Sequence, residues 1–576
     1  MFAVSPWSVY GLAAAVIVVG IVIPVVRFVL STRRPSNYPP GPEPVLGLGN
    51  VHQIPTVAPF LQFYDWSKTY GDIVGLKAGP GNLIVLNSAD AIHELFGRRG
   101  TVYSGRPYTY IPTEHVFKGH ADKHLLGVQD STYLRWFRAS VTPTLNAKVP
   151  EEGCLAMQDI SSTRLVHGIL QKPRGAQGGL ETQARRWALE GPLLVVVGER
   201  TDNRPDEFVD GFFDELKLWL ALLEPSQTPP VDIIPPLRWV PEALAGWKRK
   251  ARAVKENNLR YHARYLGAAK RLVGSSGPVV RDIKTGKDSL AYRSIATRIL
   301  DRNGELAEEK RVTDDQLRFF AGNIIEAAVT TTLAALLGLV LYLAVLPEVQ
   351  DKAHDEIDRV SGNALPGPEI IHRLPYIQAC VLEVCNRCSA SSSLMLLLAN
   401  MRRPVKLLRI RPPAPLGLGH LVDRDDVYKG YTIPKGSTVL PNLYALGQDP
   451  SLFDEPEFFD PERFIRHPHG LKDDANASEG ARKATHAFGA GRRICPGEQF
   501  ARNSLVLALA KLIWAFNIVP ADGEMLDVSL EGGFDASFDV KPKPFKVDFL
   551  VRDEMKQAEI VAGIKAASGL LDDMFS

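Results

Sequence analysis

The first 34 residues combine a long apolar stretch with a basic flank. No charged side chain precedes Arg27, and residues 9–26 are almost entirely apolar. About 20 apolar residues are enough to span the hydrocarbon core of a bilayer. Basic residues follow at 27, 33 and 34, and basic flanks mark the cytosolic side of a membrane helix. The pattern predicts a lumenal N-terminus at 1–8, a transmembrane anchor at 9–30 and a cytosolic body.

The alternative for this segment is a cleaved signal peptide. We disfavour it because the apolar stretch is long, the basic cluster lies after it, and no cysteine-rich secreted domain follows. Residues 31–42 end in the sequence NYPPGP. Consecutive prolines form a stiff extended segment, so this linker is expected to hold the body away from the membrane.

A second long apolar run, 314–345, contains no proline and no internal cluster of charges. It predicts one helix of about 30 residues. A second membrane span is the alternative, but Glu326 and the threonines after it are unfavourable in lipid and no basic flank marks the run. We therefore expect a long central helix in the protein core.

The remaining pattern predicts a mainly α (α+β) fold. Short strand-like runs occur near residues 72–88, 427–440 and 526–551, and mostly helical stretches lie between them. We expect one catalytic domain at 43–553 with small sheets at its periphery, followed by a C-terminal tail at 554–576 to which no function is assigned.

Composition and charge narrow the functional classes. The chain has 576 residues, 45% of them hydrophobic, and a net charge of +2. That balance is typical of a globular protein and gives no sign of a nucleic-acid-binding surface. Five cysteines at uneven spacing are too few for a disulfide framework, which indicates a reducing compartment for the folded part.

One of these cysteines has unusual neighbours. Cys495 lies in FGAGRRICPG, among glycines and arginines and just before an apolar helical run. Positive charge, backbone N–H groups and a metal all favour the thiolate form. Glycines without Cβ atoms let the backbone approach a flat cofactor, and Arg493 is placed to bind a carboxylate. A buried structural cysteine in a turn is the plain alternative.

The spacing resembles a known pattern. Five positions fit F-x-x-G-x-R-x-C-x-G, the haem-binding loop of the cytochrome P450 family: Phe488, Gly491, Arg493, Cys495 and Gly497. The segment PERF at 461–464 also resembles the family, as do the strand-like segments between residues 411 and 442. The resemblance is strongest to fungal, membrane-bound microsomal members. The resemblance covers nearly the whole chain after the anchor, and it implies a haem whose iron is bound axially by Cys495.

The resemblance also implies a reaction and its partners. A thiolate ligand donates electron density to haem iron and favours O–O cleavage. The expected function is a haem-thiolate monooxygenase that inserts one oxygen from O2 into an apolar small molecule, a secondary metabolite or a xenobiotic. Electrons are expected from NADPH through cytochrome P450 reductase, with cytochrome b5 as a second donor. We expect a single-pass protein of the endoplasmic reticulum membrane with a cytosolic catalytic domain.

Other family positions carry over one residue at a time. YLRWFR at 133–138 resembles the family's W-R-x-x-R helix, with Leu134 where the tryptophan normally stands. By this resemblance Arg135, Arg138, His420 and Arg493 are expected to hold the haem propionates. A plain surface charge is the alternative for Arg135, as it is for His420.

The long helix departs from the family pattern. That pattern is [AG]-G-x-[DE]-T-[TS], and the chain reads AAVTTT at 327–332. Thr331 falls on the usual threonine, which helps to deliver protons, but Thr330 replaces the usual acid. Glu326 lies four residues before Thr330 and is expected to take over the acid's role through water. We hypothesise that more NADPH is consumed per product formed.

A second departure splits the family's E-x-x-R pair. Glu383 is in place, but the residue three further on is Asn386. If residues 386–408 are removed, Arg409 stands three after Glu383 and can complete an ion network with Arg463. We hypothesise an in-frame insertion at 386–408, most simply a retained intron. Otherwise Arg387 pairs with Glu383, a looped-out segment returns Arg409 to it, or the helix lengthens.

Two other functions remain open at this point. The first is an isomerase or dehydratase on the same fold, which needs no reductase and is suggested by the absence of an acid at Thr330. The second is a catalytically impaired haem-binding chain, because the E-x-x-R pair is split. The substrate cannot be derived from the sequence, because no fixed motif encodes the pocket.

Overall fold

The structure is a computed structural model that describes residues 18–146, 152–172, 179–202, 204–274, 279–281, 288–291, 293–382, 409–473, 477–483 and 486–575. Three predicted features therefore lie outside the described residues: the lumenal segment 1–8 with the first part of the anchor, Glu383, and the insertion 386–408 together with Arg387.

The N-terminal half is mostly helical. The anchor region ends in α1 (Ile23–Ser31), and α2 (Pro59–Tyr70) precedes a hairpin of β1 (Ile73–Ala78) and β2 (Gly81–Leu86). The helices that follow are α3 (Ala89–Ile92), α4 (Thr132–Leu145), α5 (Glu152–Leu170), α6 (Gly179–Val197), α7 (Asp206–Ala221) and α8 (Gly246–Arg271). A small hairpin of β3 (Val279–Arg281) and β4 (Asp288–Ala291) leads to α9 (Ile295–Glu305).

The C-terminal half begins with the longest described helix, α10 (Asp314–Val345), and continues with α11 (Pro347–Ser361) and α12 (Pro375–Leu382). Next come β5 (His420–Leu421), β6 (Asp426–Tyr428), β7 (Tyr431–Ile433), β8 (Thr438–Pro441), α13 (Leu443–Gly447), α14 (Glu462–Arg466) and α15 (Glu479–Lys483). The chain ends with α16 (Glu498–Ala515), β9 (Phe516–Pro520), α17 (Leu530–Gly533), β10 (Phe534–Ala536), β11 (Val540–Pro542), β12 (Val547–Val551) and α18 (Glu554–Phe575).

Helix α10 forms the core of the molecule, as its sequence predicts. Thr313 and Gln316 form a capping box at its start, and Pro347 follows soon after its end. It packs against α6, α8 and α16. By length and composition the stretch Glu308–Val345 resembles a membrane span, yet 72% of its most apolar part is buried inside the protein. The alternative of a second span does not fit this position.

The sheets are small and peripheral, so the predicted fold class is confirmed. The four-stranded sheet has the order β1-β2-β8-β5, in which β2 and β8 are parallel and the other pairs antiparallel. The other strands form two-stranded sheets. The segment expected to be a tail forms α18, which packs on α5 and buries Ile560 and Leu571.

Candidate active site

The loop that carries Cys495 is fixed by short-range hydrogen bonds. Cys495 N donates to Phe488 O at 2.9 Å, and Gly497 N points at Cys495 Sγ from 3.4 Å. Gly491 has a φ of +65°, and a Cβ there would collide with the backbone carbonyl of Phe96. Glycine is therefore required at this position for the turn and for close packing against Phe96. The thiol is held just before the N-terminus of α16.

Cys495 differs from the other described cysteines in its surroundings. Cys154 and Cys380 are buried in the main core, whereas Cys495 is partly accessible. Burial raises the pKa of the Cys495 thiol to about 11, although the Gly497 N–H and the Arg138 charge act in the opposite direction. The free thiol is thus protonated at neutral pH, and a bound metal is what converts such a group to thiolate.

Three guanidinium groups surround this loop. Arg138 on α4 donates to Ile494 O at 2.8 Å, and Arg493 donates to Ser104 O at 2.9 Å and to Val128 O at 2.7 Å. Arg106 donates to Gly419 O at 2.7 Å, and its buried Nε atom has no hydrogen-bond partner. In the part of the chain that the structure describes, none of the three forms an ion pair with a carboxylate.

The electrostatics of this cluster favour the binding of an anion. Burial lowers the pKa of Arg106 to about 9, and the charge of Arg493 adds to the effect. Burial also lowers the pKa of Arg493 to about 10 against the opposing charge of Asp130, and it lowers the pKa of Arg138. Concentrating positive charge in a partly desolvated place is unfavourable unless an anion binds there. The cluster suits a cofactor with two carboxylates.

His420 lies against the same cluster. It is buried on β5, its ring stacks on Phe96 with centroids 3.9 Å apart, and Nδ1 lies 2.5 Å from Tyr103 O. A carbonyl accepts only, so Nδ1 carries the hydrogen. Burial lowers the pKa of His420 to about 3, and the charge of Arg106 contributes. His420 is therefore neutral and near the expected propionate position.

Arg135 is not brought to the cluster. Its side chain is 68% exposed and lies 3.9 Å from Asp130. The reason is the orientation of α4, which buries Leu134, Phe137 and Val141 as one stripe. At about 100° per residue, Arg138 borders that stripe and Arg135 lies well away from it. The residue that sequence reasoning missed is Arg106, which occurs in a loop, SGRPY, without any helical or strand periodicity.

The middle of α10 faces an internal space. The residues of α10 that come just before and just after 326–331 are buried. Within that segment Ala327 is exposed, and four residues are partly exposed: Glu326, Ala328, Thr330 and Thr331. Thr331 Oγ1 donates to Ala327 O at 3.0 Å. A polar stripe of two threonines and a glutamate thus lines an opening in an otherwise apolar helix.

Glu326 is held in its ionised form. Its Oε1 lies 2.8 Å from Nε2 of His262, and its Oε2 lies 3.6 Å from Nε2 of His124. Burial raises the pKa of Glu326, but the hydrogen bonds and charges of the two histidines outweigh burial and bring it to about 2. The carboxylate is therefore not a proton donor at neutral pH, contrary to the role expected from its position near Thr330.

Two members of the expected ion network are buried in one region. Arg409 donates to Gly447 O at 2.6 Å and to Phe458 O at 2.9 Å, and Arg463 on α14 donates to Asp454 O at 2.9 Å. Helix α12 packs against α14, and Leu382 is its last described residue. The described parts of the network are thus close to the C-terminal end of the described part of α12.

The cytochrome P450 family model matches residues 39–385 and 407–549. The chain belongs to the cytochrome P450 family. Residues 386–406 remain unmatched between the two parts. Enzymes of this family bind a haem through a cysteine thiolate, so this P450 is a monooxygenase with a haem cofactor, and it uses O2 and a redox partner.

Curated relatives are similar over almost their full length. This P450 is 32% identical over 553 residues to the cytochrome P450 monooxygenase grgG of a Penicillium species, which covers 93% of this chain and 91% of that protein. It is 30% identical over 534 residues to the cytochrome P450 monooxygenase yanC of Aspergillus niger, with 91% of each covered. A cytochrome P450 monooxygenase of Armillaria gallica is 31% identical over 557 residues.

Solved structures share the fold. A zebra fish cytochrome P450 with progesterone superimposes with a TM-score of 0.64 at 20% identity, covering 86% of this chain and 99% of that one. A structure of a zebra fish cytochrome P450 with abiraterone gives a TM-score of 0.63 at 20% identity. The expected P450 fold is thereby confirmed.

Proposed function

We propose that this P450 is a membrane-anchored monooxygenase that oxidises a hydrophobic small molecule, a secondary metabolite or a xenobiotic. Its electrons come from NADPH through cytochrome P450 reductase, with cytochrome b5 as a second donor. The observation that carries the proposal is the arrangement around Cys495: a partly accessible thiol, a cluster of guanidiniums without carboxylate partners, and an opening in α10 lined by Thr331.

The residues that hold the haem follow from this arrangement. Cys495 supplies the axial thiolate, and the Gly497 N–H stabilises negative charge on sulfur. Arg106, Arg138 and Arg493 bind the two propionates, while neutral His420 packs beside them. The haem supplies O2 activation and the oxidising chemistry; the protein positions the substrate, moves protons and excludes water.

Thr331 is the residue proposed to handle protons. Its hydroxyl donates to Ala327 O, so its oxygen keeps lone pairs that accept a hydrogen bond from water in the opening. Thr330 adds a second hydroxyl on the partly exposed side of α10, but neither threonine supplies the acidity of the family's usual Asp or Glu. Proton delivery is therefore expected to be less efficient, with more NADPH consumed per product.

Exposed apolar residues support attachment to the endoplasmic reticulum membrane. No residue of α1 is buried, and its residues Val25, Val26 and Leu30 are exposed. The hydroxyl of Thr32, just after α1, accepts a hydrogen bond from Gly47 N within a loop that exposes Val45, Leu46 and Leu48. Loop residues Trp239 and Leu244 are also about 80% exposed. These surfaces suit contact with lipid beside the predicted anchor.

One experiment on the reconstituted protein tests the proposal. The purified protein is reconstituted with cytochrome P450 reductase in lipid vesicles, and a reduced, CO-bound absorption maximum in the thiolate position reports an intact site. Oxidised product that requires reductase, NADPH and O2 is the expected result. Product formation without reductase would point instead to an isomerase or dehydratase, and a missing thiolate maximum to an impaired chain.

A further inference from the structure

A short segment of the loop before α4, residues 123–128, connects α10 to the guanidinium cluster. We call it the bridging segment. At one end it bonds to Asn323 of α10, three residues before Glu326. At the other end it bonds to Arg493, two residues before Cys495. The haem-binding residues described above do not include Asn323.

The side-chain amide of Asn323 binds the first half of the bridging segment. Its Oδ1 accepts from Leu125 N at 3.1 Å, and its Nδ2 donates to Lys123 O at 2.9 Å and to Phe319 O of its own helix at 2.6 Å. One amide thus bonds to a backbone C=O and a backbone N–H two residues apart. Asn323 is only 2% exposed, so an apolar residue in its place would leave both backbone groups without this partner, which is unfavourable.

The bridging segment itself is a compact turn. Gly127 N and Val128 N both donate to His124 O, at 2.9 and 2.8 Å, and Leu126 N donates to His124 Nδ1 at 3.3 Å. A Cβ on Gly127 would lie 2.7 Å from Ala121 O, so the turn is also packed closely against the chain before it. The position of the first half of the segment therefore determines where the Val128 carbonyl lies.

The Val128 carbonyl is one of two acceptors that orient Arg493. Arg493 Nη2 donates to Val128 O at 2.7 Å, and its Nε donates to Ser104 O at 2.9 Å. Among the described residues Nη1 of Arg493 has no hydrogen-bond partner, which leaves it for a carboxylate. The guanidiniums of Arg106 and Arg138 bond instead to carbonyls outside the segment.

We propose that Asn323 is a positioning residue for Arg493. Through the bridging segment it places the Val128 carbonyl, and that carbonyl directs the guanidinium toward a haem propionate. With two acceptors in place the planar guanidinium has one orientation, whereas with one acceptor it rotates and binds the propionate less well. The inference rests on the proposed function and adds to it a residue of α10 that acts on haem retention from outside the haem-binding set.

The test variant is Asn323→Leu, which keeps the number and branching of the side-chain atoms and removes the amide. In the haem-loaded protein, transfer of haem to excess apomyoglobin should be about three- to tenfold faster than in the wild type, as expected for partial loss of one charge-assisted hydrogen bond. The haem reduction potential should also fall, because positive charge near the haem stabilises its reduced form. A reduced, CO-bound maximum in the thiolate position establishes that each protein compared has an intact iron site.

The matched control is Gln350→Met on α11. Gln350 is 5% exposed, and its amide accepts from Ile518 N at 2.6 Å and donates to Ile518 O at 2.9 Å. It is likewise a buried amide that binds backbone, but it joins α11 to β9 and not to the bridging segment. The control should therefore lose stability while its haem release stays within about twofold of the wild type and its reduction potential is unchanged.

A double variant locates the effect at Arg493. Arg493→Lys keeps the charge but lacks the planar fork that bonds to Ser104 O and Val128 O together. In that background Asn323→Leu should add less than about twofold to the release rate, whereas independent effects would multiply. Gly127→Ala moves the bridging segment without a change in α10 and should behave as Asn323→Leu does. If Asn323→Leu does not load haem, Gly127→Ala decides.

Three results would overturn the inference. The first is haem release from Asn323→Leu within about twofold of the wild-type rate. The second is faster release with an unchanged reduction potential, which means a general loss of packing. The third is a rate in the double variant that equals the product of the two single effects. A failure of the proposed function is distinct, because it appears as a missing thiolate maximum in the wild type or as reductase-independent product.

Discussion

Replacing Arg106 tests the assignment of the propionate-binding cluster. Arg106 is buried and donates to the Gly419 carbonyl, and its Nε atom lacks a partner, so it is placed to bind an anion. Arg106→Met keeps an unbranched side chain that fills the aliphatic part of the arginine site, and it removes the guanidinium charge. We expect the folded protein to lose haem faster than the wild type, because one charged hydrogen bond to the cofactor is gone.

The size of the effect follows from the interaction that is removed. A hydrogen bond to a charged group contributes roughly 1.5–3 kcal/mol, which corresponds to about 10- to 150-fold in the rate of haem loss. Arg135→Met is the matched control, since Arg135 is mostly exposed and 3.9 Å from Asp130. An exposed ion pair contributes at most about 1 kcal/mol, so the control should change the rate by less than about sixfold.

The assay is transfer of haem from each purified variant to excess apomyoglobin, followed by absorbance. Arg106→Lys retains a charge but not the planar fork, and it should fall between Arg106→Met and the wild type. The reasoning is refuted if Arg106→Met releases haem at the wild-type rate, or if Arg135→Met releases it equally fast. Circular dichroism of each variant before transfer establishes that the comparison is made between folded proteins.

Four further predictions address the other parts of the site. Cys495→Ala should lose the thiolate CO maximum and turnover together; a retained spectrum would contradict axial ligation by this residue. Thr330→Asp should raise product formed per NADPH consumed, and an unchanged ratio would count against the proton-delivery argument. Deleting residues 386–408 should increase the yield of haem-loaded protein, because a broken buried ion network costs about 3–5 kcal/mol; transcript sequencing that finds these codons in mature message would exclude a retained intron. Glu326 has a pKa of about 2 in the fold against an ordinary 4.5, so its ionised form stabilises the protein above pH 4.5 and that contribution is lost as the pH falls toward 2. Acid titration of unfolding should therefore be less steep across that window in Glu326→Gln, and an identical profile would argue against the His124–Glu326–His262 pairing.

The sequence was most informative where the chemistry is local. The spacing of Phe488, Gly491, Arg493 and Cys495 lies within one turn-rich loop, and the structure holds that loop through bonds between its own residues. The long helix was equally predictable from the sequence, because its capping residues and its uninterrupted apolar run are contiguous. Such features depend on neighbouring residues, so a single sequence contains the whole signal.

Features that depend on tertiary packing could not be predicted in this way. Arg106 meets Arg493 only because the loop before α4 folds against the cysteine loop, and nothing periodic marks it. The buried stripe of α4 did contain a usable signal, since it separates Arg138 from Arg135 by orientation. His124 and His262 meet Glu326 from distant segments, and only Gly322, one turn before Glu326, leaves space for the pairing.

The geometry of α10 separates the Glu326 carboxylate from the Thr331 hydroxyl. Glu326 and Thr331 are five residues apart on one rigid helix, a rise of about 7.5 Å at 1.5 Å per residue. At about 100° per residue the two side chains are also rotated by about 140° around the helix axis, so they leave different faces of α10. Thr330, four residues after Glu326, is rotated by only about 40° from it. The carboxylate therefore stands one turn before the position of the family's usual acid, and there it is paired with His262 and His124 instead of serving Thr331 directly.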